Sequence, residues 1–176
     1  MTITNYEEVS VYPLDAEMQE RLLATHNECS FVWSTRDGWP VGVIMSYVWR
    51  DGRIWLTASE QRKRIAAVRR DARVCVIVTS TGSALGPGKT VTIKGRCAVH
   101  MDAETRQWFY PALAASLIPN NPRRQAGFVA MLDSPRRVIL EVTPEQYISY
   151  DGAKMAADSG GALGGSPPRG AAPEQA

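Results

Sequence analysis

Residues 57–63 combine hydroxyl, amide and cationic side chains at a point where a strand pattern gives way to a helix pattern. If Ser59 is the N-cap of that helix, Arg62 falls at its third position, where free backbone N–H groups and the helix dipole favour an anion. Arg62 and Lys63 add full positive charges, and the planar Arg62 guanidinium suits phosphate oxygens. The segment therefore predicts a phosphate site, against the alternative of an ordinary amphipathic helix with a solvated basic face.

The side chains that usually carry catalysis or hold metals are sparse and widely separated. The two histidines, His26 and His100, do not lie at a spacing that suits a shared metal ion. The three cysteines, Cys29, Cys75 and Cys97, lie within apolar or strand-like segments and are expected to be reduced and buried. We therefore expect no metal site and no catalytic side chain, so that any chemistry belongs to a bound cofactor.

The sequence Gly88-Lys89-Thr90 has the residue types that end a phosphate-binding P-loop, but the spacing excludes that motif. The P-loop needs an earlier glycine at the position where this chain has Ser83. It also needs a helix after the threonine, where the pattern here is a strand. Nucleoside triphosphate hydrolysis is therefore not expected.

The size and composition describe one ordinary globular domain. With 176 residues, 44% of them apolar and 22% charged, the chain can bury a single core. The net charge of +2 predicts neither a nucleic-acid surface nor a membrane surface, although basic residues are concentrated in residues 62–73. No stretch has the pattern of a signal peptide or a membrane-spanning helix, so we expect a cytoplasmic protein.

Seven segments of the chain have the residue patterns of β-strands. Turns at Asp37-Gly38 and Asp51-Gly52 separate three apolar runs and predict an antiparallel meander. Residues 74–79 predict a strand buried on both faces, and Gly95 predicts a bulge or bend in a long strand. Strands are expected at residues 29–35, 41–49, 53–57, 74–79, 90–100, 137–142 and 147–150, and helices at 15–24, 102–117 with a kink or restart at Pro111, and 123–132.

These elements predict a mainly β (α+β) fold, an antiparallel β-barrel with a few flanking helices, over residues 1–150. From about residue 151 the composition changes to Gly, Ala, Ser and Pro, which predicts a disordered tail over residues 151–176. The five tryptophans are expected in a core or an interface. Trp39 and Trp49 are expected to be the most exposed, because they lie close to turns.

Several of these segments together resemble the pyridoxamine-5'-phosphate-oxidase-like split β-barrel family, over about residues 28–150. The residues that carry the resemblance are strand residues 40–46, the turn Asp51-Gly52, Trp55-Leu56-Thr57 with Arg62-Lys63 after it, residues 68–74 and residues 91–95. The family's usual pattern there is a strand that ends in threonine and a helix that starts Ser-Arg-Lys. In this chain Gln61 stands where the serine is usual.

The resemblance implies a homodimer that binds FMN, or the deazaflavin F420, in a cleft between the subunits. Among the implied contacts, Arg62 and Lys63 would hold the phosphate, Thr57 would hydrogen-bond nearby, and the backbone of residues 41–43 would line the isoalloxazine edge. The implied cofactor-binding residues are Val41, Gly42, Val43, Thr57, Ser59, Gln61, Arg62 and Lys63.

The implied activity is that of a flavin-dependent oxidoreductase, which transfers hydride or electrons to a small organic substrate. The chain lacks the C-terminal Trp and the Arg-Leu-x-Pro-like ending of authentic pyridoxamine phosphate oxidases, so vitamin B6 synthesis is not expected. One alternative is an F420-dependent reductase, in which Arg64, Arg69 and Arg70 would face the longer acidic tail of that cofactor. Another is a non-catalytic module of the same fold that binds a flavin, haem or a tetrapyrrole.

Overall fold

The computed structural model describes residues 8–159, which form a closed six-stranded barrel with helices packed on it. The barrel order is β1–β2–β3–β6–β5–β4, and every neighbouring pair is antiparallel, which confirms the predicted mainly β (α+β) barrel. The strands are β1 (Glu28–Ser34), β2 (Pro40–Arg50), β3 (Arg53–Ser59), β4 (Arg73–Thr79), β5 (Lys89–His100) and β6 (Arg137–Asp151). A 3-10 turn at Val9–Val11 comes before the helices α1 (Ala16–Thr25), α2 (Lys63–Arg70), α3 (Ala103–Leu117), α4 (Pro122–Leu132) and α5 (Gly152–Asp158).

The meander β1–β2–β3 follows the predicted turns. Asp51 and Gly52 have φ values of 53° and 71° and join β2 directly to β3. Positive φ at both central residues defines a tight hairpin turn whose twist matches that of the strands, and Asp-Gly is one of the residue pairs that adopt it most readily. The turn therefore fixes the register that pairs Arg50 with Arg53.

The barrel wall opens between β2 and β3, beyond the pair Tyr47 and Leu56. Strand β2 pairs with β3 only through residues 47–50, and its residues 40–46 pair with β1 alone. Strand β3 likewise leaves β2 after Leu56, and its residues 57–59 pair with β6 alone. The two strands thus diverge from the hairpin, and the gap between them is the split in the barrel.

Strands β5 and β6 form the longest ladder, and it carries the predicted irregularity at Gly95. The register shifts between Lys94 and Gly95, where Gly95 lies opposite Pro144. A Cβ atom at position 95 would lie 2.5 Å from the carbonyl oxygen of Thr143, so only glycine fits that approach. The prediction of separate strands over residues 137–142 and 147–150 is wrong: one strand runs through both, because the shift accommodates a proline that cannot donate to the ladder.

Two apolar clusters hold the elements together. The barrel interior contains fully buried residues from several strands and from the first two helices, among them Phe31, Tyr47 and Ile65. A second cluster lies between the outer face of β3 and β6 and the α3–α4 hairpin, around Trp55 and Phe109. The predicted burial of β4 on both faces is wrong: its residues alternate between buried and half-buried or exposed, because a barrel has one interior.

Helices α1, α3 and α4 begin and end close to their predicted residues, whereas α5 was not predicted. Asp102 caps α3 by accepting a hydrogen bond from the Thr105 backbone N–H at 2.7 Å, and α3 continues without a restart through Pro111. Asp151, which ends β6, caps α5 by accepting from the Ala153 N–H at 3.0 Å. The folded chain therefore extends past residue 150, and the predicted tail from residue 160 onward lies outside the described residues.

The tryptophans and cysteines are distributed largely as expected. Trp39 is 70% exposed, whereas Trp49 is half-buried and its indole N–H donates to Glu20 at 2.7 Å. All three cysteines are free; two are buried and Cys75 is half-buried. Within residues 8–159 we find no helix long and apolar enough to cross a membrane.

Candidate anion site at the opening of the barrel

A cavity of about 230 Å³ lies where β2 and β3 diverge. Its polar wall comes from the ends of the diverging strands, from the first turn of α2 and from the start of β6. Its apolar wall comes from α3 and α4, which cover this side of the barrel. The lining residues are Met45, Ser46, Thr57, Arg64, Leu113, Leu117, Phe128, Met131, Leu132 and Arg137.

Arg64 and Arg137 give this cavity its charge. The Nε atom of each is buried and has no hydrogen-bond partner among the described residues. Burial, and secondly the positive charge of Arg62, lower the pKa of Arg64 below its ordinary value. A charged group whose pKa is lowered in this way is stabilised by an anion placed beside it. The cavity is therefore complementary to a phosphate or carboxylate group.

The pairing of β3 with β6 places Arg137 beside Ser59, which belongs to the predicted phosphate segment, residues 57–63. Arg137 is the first residue of β6 and is the register partner of Ser59, the last residue of β3. Side chains of directly paired residues lie on the same face of a sheet. Ser59 is half-buried and lies two positions beyond Thr57 on that face. The predicted residues Thr57 and Ser59 thus lie beside Arg137, which lines the cavity together with Arg64.

Thr57 lines the cavity, but its hydroxyl is already engaged. The Oγ1 atom donates to the carbonyl oxygen of Val138 at 2.8 Å, across the ladder between β3 and β6. That bond uses the single hydroxyl proton, so in this geometry the Thr57 oxygen can only accept from a ligand. Donation to an anion here therefore falls to the arginines.

The helix start differs from the one predicted from the sequence. Ser59 stays in the β3 ladder and is not the N-cap; Arg62 takes that position, with extended backbone dihedrals and no capping side chain. The turn is closed by the Arg62 N–H, which donates to the Ser59 carbonyl at 3.0 Å. The reason for the difference is that pairing with Arg137 holds Ser59 in the sheet. Lys63 is consequently the first residue of α2.

Three of the predicted phosphate-site residues are exposed. Gln61, Arg62 and Lys63 lie on the surface, and their side chains form no hydrogen bond or ion pair with any other described residue. They do not line the cavity, although the charge of Arg62 acts on the neighbouring Arg64. The structure therefore separates an inner pair of arginines, Arg64 and Arg137, from two outer cations.

The other arginines of this region have structural partners. Arg69 pairs with Glu60 at 2.8 Å, and the Arg70 guanidinium donates to the Ser34 carbonyl at 2.7 Å. These contacts hold the turn before α2 and tie the end of α2 to β1. Arg69 and Arg70, which the sequence offered as extra cations for a longer anionic cofactor, are thus already engaged.

The predicted β2 segment leads away from the cavity along the outer face of the barrel. Ser46 lines the cavity, and Ile44 and Gly42 follow at alternate positions on the same face. Ile44 is 62% exposed, Val41 and Gly42 are also exposed, and Val43 packs partly against the barrel interior. A flat apolar strip therefore continues from the cationic cavity.

The cysteines and histidines, whose side chains commonly act as nucleophiles or metal ligands, do not line this cavity. Burial raises the pKa values of the Cys29 and Cys97 thiols to about 12. His100 is engaged with Glu141, with 2.7 Å between Nε2 and Oε2, away from the cavity. In the part of the chain that the structure describes, no group of three or more His, Cys, Asp or Glu residues could hold a metal ion. The cavity is complementary to an anion, and none of its lining residues is a carboxylic acid or a histidine.

Sequence reasoning missed Arg137 and gave Arg64 a secondary role. The pattern of α2 offered a signal for Arg64, because it precedes the buried Ile65 and falls on the half-buried flank of the helix. No local signal could identify Arg137. Its position depends on the pairing of β6 with β3, which only the topology defines.

Fold and site together define a split-barrel protein with an arginine-lined cavity at the opening of its wall. The chain matches the family model described as pyridoxamine 5'-phosphate oxidase over residues 14–151, and it belongs to that family. A search of curated proteins finds no match.

Solved structures with the same fold extend this comparison. A conserved hypothetical protein from Mycobacterium tuberculosis aligns with a TM-score of 0.71 at 17% identity, covering 81% of this chain and 88% of that one. A FAD-binding protein from Mesorhizobium loti aligns with a TM-score of 0.58 at 23% identity, covering 77% and 91%. An F420 reductase aligns with a TM-score of 0.55 at 19% identity, covering 73% and 94%. At these identities the likeness shows a shared fold.

Proposed function

We propose that this protein is a flavin-dependent oxidoreductase that seats the phosphate of FMN in the cavity at the opening of the barrel. The observation that carries the proposal is the pair Arg64 and Arg137, whose buried Nε atoms have no partner and which line the same cavity. An unsatisfied buried donor is unfavourable by about 1–3 kcal/mol, more when it is charged, so a phosphate that accepts from both is stabilised there. Membership of the oxidase family supports the same assignment.

The size of the cavity indicates which part of a flavin would lie inside it and which part would lie on the protein surface. Its 230 Å³ is below the range of about 300–1,000 Å³ that encloses a whole small molecule. The cavity suits the phosphate end, and the ring is assigned to the apolar strip at Gly42 and Ile44. Gly42 has no side chain of its own, and the Val32 Cγ2 atom lies 3.2 Å from the position its Cβ would take, so this part of the strip is apolar, which supports the expected role of residues 41–43. When bound, the flavin supplies hydride and electron transfer, and the protein supplies binding and orientation.

A second copy of the chain would cover this strip. Ile44, Ile77 and Ile148 fall in one row across the outer face, because Ile44 and Ile77 both pair with Ser30, and Ile77 and Ile148 both pair with Thr92. Ile44 and Ile148 are 62% and 48% exposed. Ser30 and Thr92 lie between these isoleucines in the row. Exposed apolar side chains on one face favour a surface that another protein covers. We therefore propose a homodimer with the flavin ring between the subunits and a small organic substrate above it.

The phosphate site is tested by replacing Arg64 with alanine and measuring FMN binding by quenching of flavin fluorescence. We expect the affinity to fall about 10- to 100-fold, since a hydrogen bond to a charged group contributes about 1.5–3 kcal/mol. Arg69→Ala is the matched control, because Arg69 lies on the same helix and pairs with Glu60 instead. We expect this control to bind FMN within about twofold of the parent chain.

The double replacement Arg62→Ala with Lys63→Ala separates the outer cations from the inner pair. If the outer cations act only through long-range attraction, this variant weakens binding less than Arg64→Ala does, and most of its effect disappears at high salt. Equal FMN affinity in Arg64→Ala and Arg69→Ala would show that the phosphate site lies elsewhere. Failure of the parent chain to bind any flavin would contradict the proposed function itself.

F420 is the second candidate cofactor, and the outer cations favour it. Arg62 and Lys63 are exposed and without side-chain partners among the described residues, so they could face a longer anionic tail outside the cavity. Titrations of both cofactors at several salt concentrations distinguish the cases, because the more anionic ligand loses more affinity as salt rises. An F420 affinity above that of FMN, with the steeper salt dependence, would make the protein an F420-dependent reductase.

A further inference from the structure

The α3–α4 hairpin carries a groove that shares no residue with the cavity at the opening of the barrel. Because that cavity is proposed to hold the flavin phosphate, we call it the cofactor cavity. Two adjoining cavities of about 410 and 300 Å³ form it, and both are lined by Pro111, Val129 and Asp133. Each volume falls within the range of about 300–1,000 Å³ typical of small-molecule sites. The cofactor cavity lies on another flank of the hairpin, where Leu113 and Leu117 of α3 line it.

The walls of the larger cavity are small and apolar. Ala114 on α3 and Ala126, Val129 and Ala130 on α4 leave the space between the helices open, with Pro111 and Pro122 at its ends. Longer side chains at the alanine positions would fill this space. The groove can therefore hold an apolar chain along the hairpin.

The smaller cavity adds a polar end to the groove. Tyr110 lines it and is 2% exposed, yet its hydroxyl has no hydrogen-bond partner among the described residues. Native proteins seldom leave a buried hydroxyl without a hydrogen bond, so a bound ligand is a candidate partner for this group. The partner that the neighbouring groups favour is an acceptor, because, apart from burial, the cations Arg106 and Arg137 influence the pKa of Tyr110 more than the anion Asp133 does.

Arg106 lines the same cavity and is poorly satisfied. Its Nε atom is buried without a partner, and its terminal nitrogens make only long contacts, 3.9 Å to an Asp133 carboxylate oxygen and 3.4 Å to the Arg137 carbonyl. A guanidinium binds a carboxylate through two parallel hydrogen bonds at about 2.7–2.9 Å. Asp133 does not reach that geometry, so a ligand carboxylate can displace it from Arg106.

We propose that the groove between α3 and α4 binds a small monocarboxylate with an apolar tail. The carboxylate lies on Arg106 beside Tyr110, and the tail lies along Pro111, Ala126 and Ala130. This site is separate from the proposed flavin site and does not depend on it.

The probe is decanoate, titrated calorimetrically into the full-length protein below the concentration at which decanoate forms micelles. We expect saturable binding that Arg106→Gln weakens at least about tenfold, since the charged hydrogen bonds are lost. Ala126→Leu, which fills the groove, should weaken binding as well. Asp133→Asn should strengthen it, because the competing carboxylate is removed.

Tyr110→Phe distinguishes a ligand contact from a structural role. Because the hydroxyl has no partner in the protein, its removal should leave the melting temperature unchanged or raise it, while decanoate affinity falls. The proposal is overturned if decanoate shows no saturable binding. It is equally overturned if Arg106→Gln and Ala126→Leu bind it like the parent chain, or if decylammonium, with the opposite charge, binds as tightly.

Discussion

Arginines that are close in sequence have different roles in this protein because each meets a different environment. Arg69 and Arg70 end α2 in contacts with Glu60 and with the Ser34 carbonyl. Arg64, one turn earlier, lines a cavity with an unsatisfied Nε. These arginines carry the same charge, so their roles are distinguished by their burial and by their hydrogen-bond and ion-pair partners. A buried guanidinium Nε without a hydrogen-bond partner is a better indicator of a binding site than a cluster of exposed cations.

The two buried thiols should be inert in the folded protein. Burial raises the pKa values of Cys29 and Cys97 to about 12, so almost no thiolate is present near neutral pH. We expect Ellman's reagent to leave both unmodified in the native protein and to modify all three cysteines in guanidinium chloride. Cys75→Ser, which removes the half-buried thiol, should then show no reactive thiol until the protein unfolds. Rapid modification of two thiols in that native variant would contradict this expectation.

Asp71 should contribute to acid sensitivity. Hydrogen bonds from the side chain and backbone of Arg73 lower the pKa of Asp71 from 3.8 to about 2. A carboxyl group whose folded pKa is lowered stabilises the protein above its unfolded pKa, and that contribution is lost as the pH falls through the folded value. Between about pH 4 and pH 2, the parent chain should therefore lose more free energy of unfolding than Asp71→Asn. Urea titrations at several pH values measure this, and Arg73→Ala should resemble Asp71→Asn; parallel pH profiles for all three would refute the assignment.

In the candidate phosphate site, local features were predictable from the sequence and distant pairing was not. Thr57 of the predicted segment lines the cavity, and the segment was found because a threonine at a strand end and a basic helix start are local features. The sequence placed the helix N-cap at Ser59, whereas the structure has Arg62 there. That choice could not be corrected locally, since the strand partner that keeps Ser59 in the sheet is distant in sequence.

Among the elements, the irregular ladder between β5 and β6 depends on a single glycine. We expect Gly95→Ala to destabilise the protein by about 1–3 kcal/mol or more, because the new Cβ would lie 2.5 Å from the Thr143 carbonyl oxygen. Gly127→Ala is a control that we expect to stabilise the protein, since nothing lies within 4 Å of a Cβ at that position of α4. In a helix interior, alanine is favoured over glycine by about 0.5–1 kcal/mol. Chemical denaturation measures both, and equal stability of the two variants would contradict the clash.

The elements themselves were largely predictable where local chemistry decides them. Asp-Gly turns, the Asp102 cap and the glycine in the long strand each identified a boundary or a bulge that the structure contains. The continuity of β6 was not predictable, because residues 143–146 resemble a break and only pairing with β5 carries the strand through them. The one-sided burial of β4 likewise depends on the closed barrel, which no local pattern contains.

At the scale of the whole molecule, the row of isoleucines on the barrel face should determine the oligomeric state. We expect Ile44→Asp to shift the protein from dimer to monomer in sedimentation analysis and to weaken FMN binding, because a buried charge opposes association and the proposed site needs the second subunit. Val9→Asp is the control, since Val9 is 52% exposed in the 3-10 turn. A protein that is monomeric before mutation, or a dimer unaffected by Ile44→Asp, would exclude this interface.

Because β6 is the last strand in the described part of the chain, the barrel can close only late in synthesis. β6 pairs on one side with β3 and on the other with β5, so the barrel is not closed until this last strand has emerged from the ribosome. Until then both neighbouring edges present unpaired N–H and C=O groups, which are templates for pairing between chains. The α3–α4 hairpin, made just before β6, can form from local contacts and cover part of the β3 face in the meantime. A released fragment that ends before residue 137 is therefore expected to be far more prone to aggregate than one that extends past residue 151 and contains all of β6.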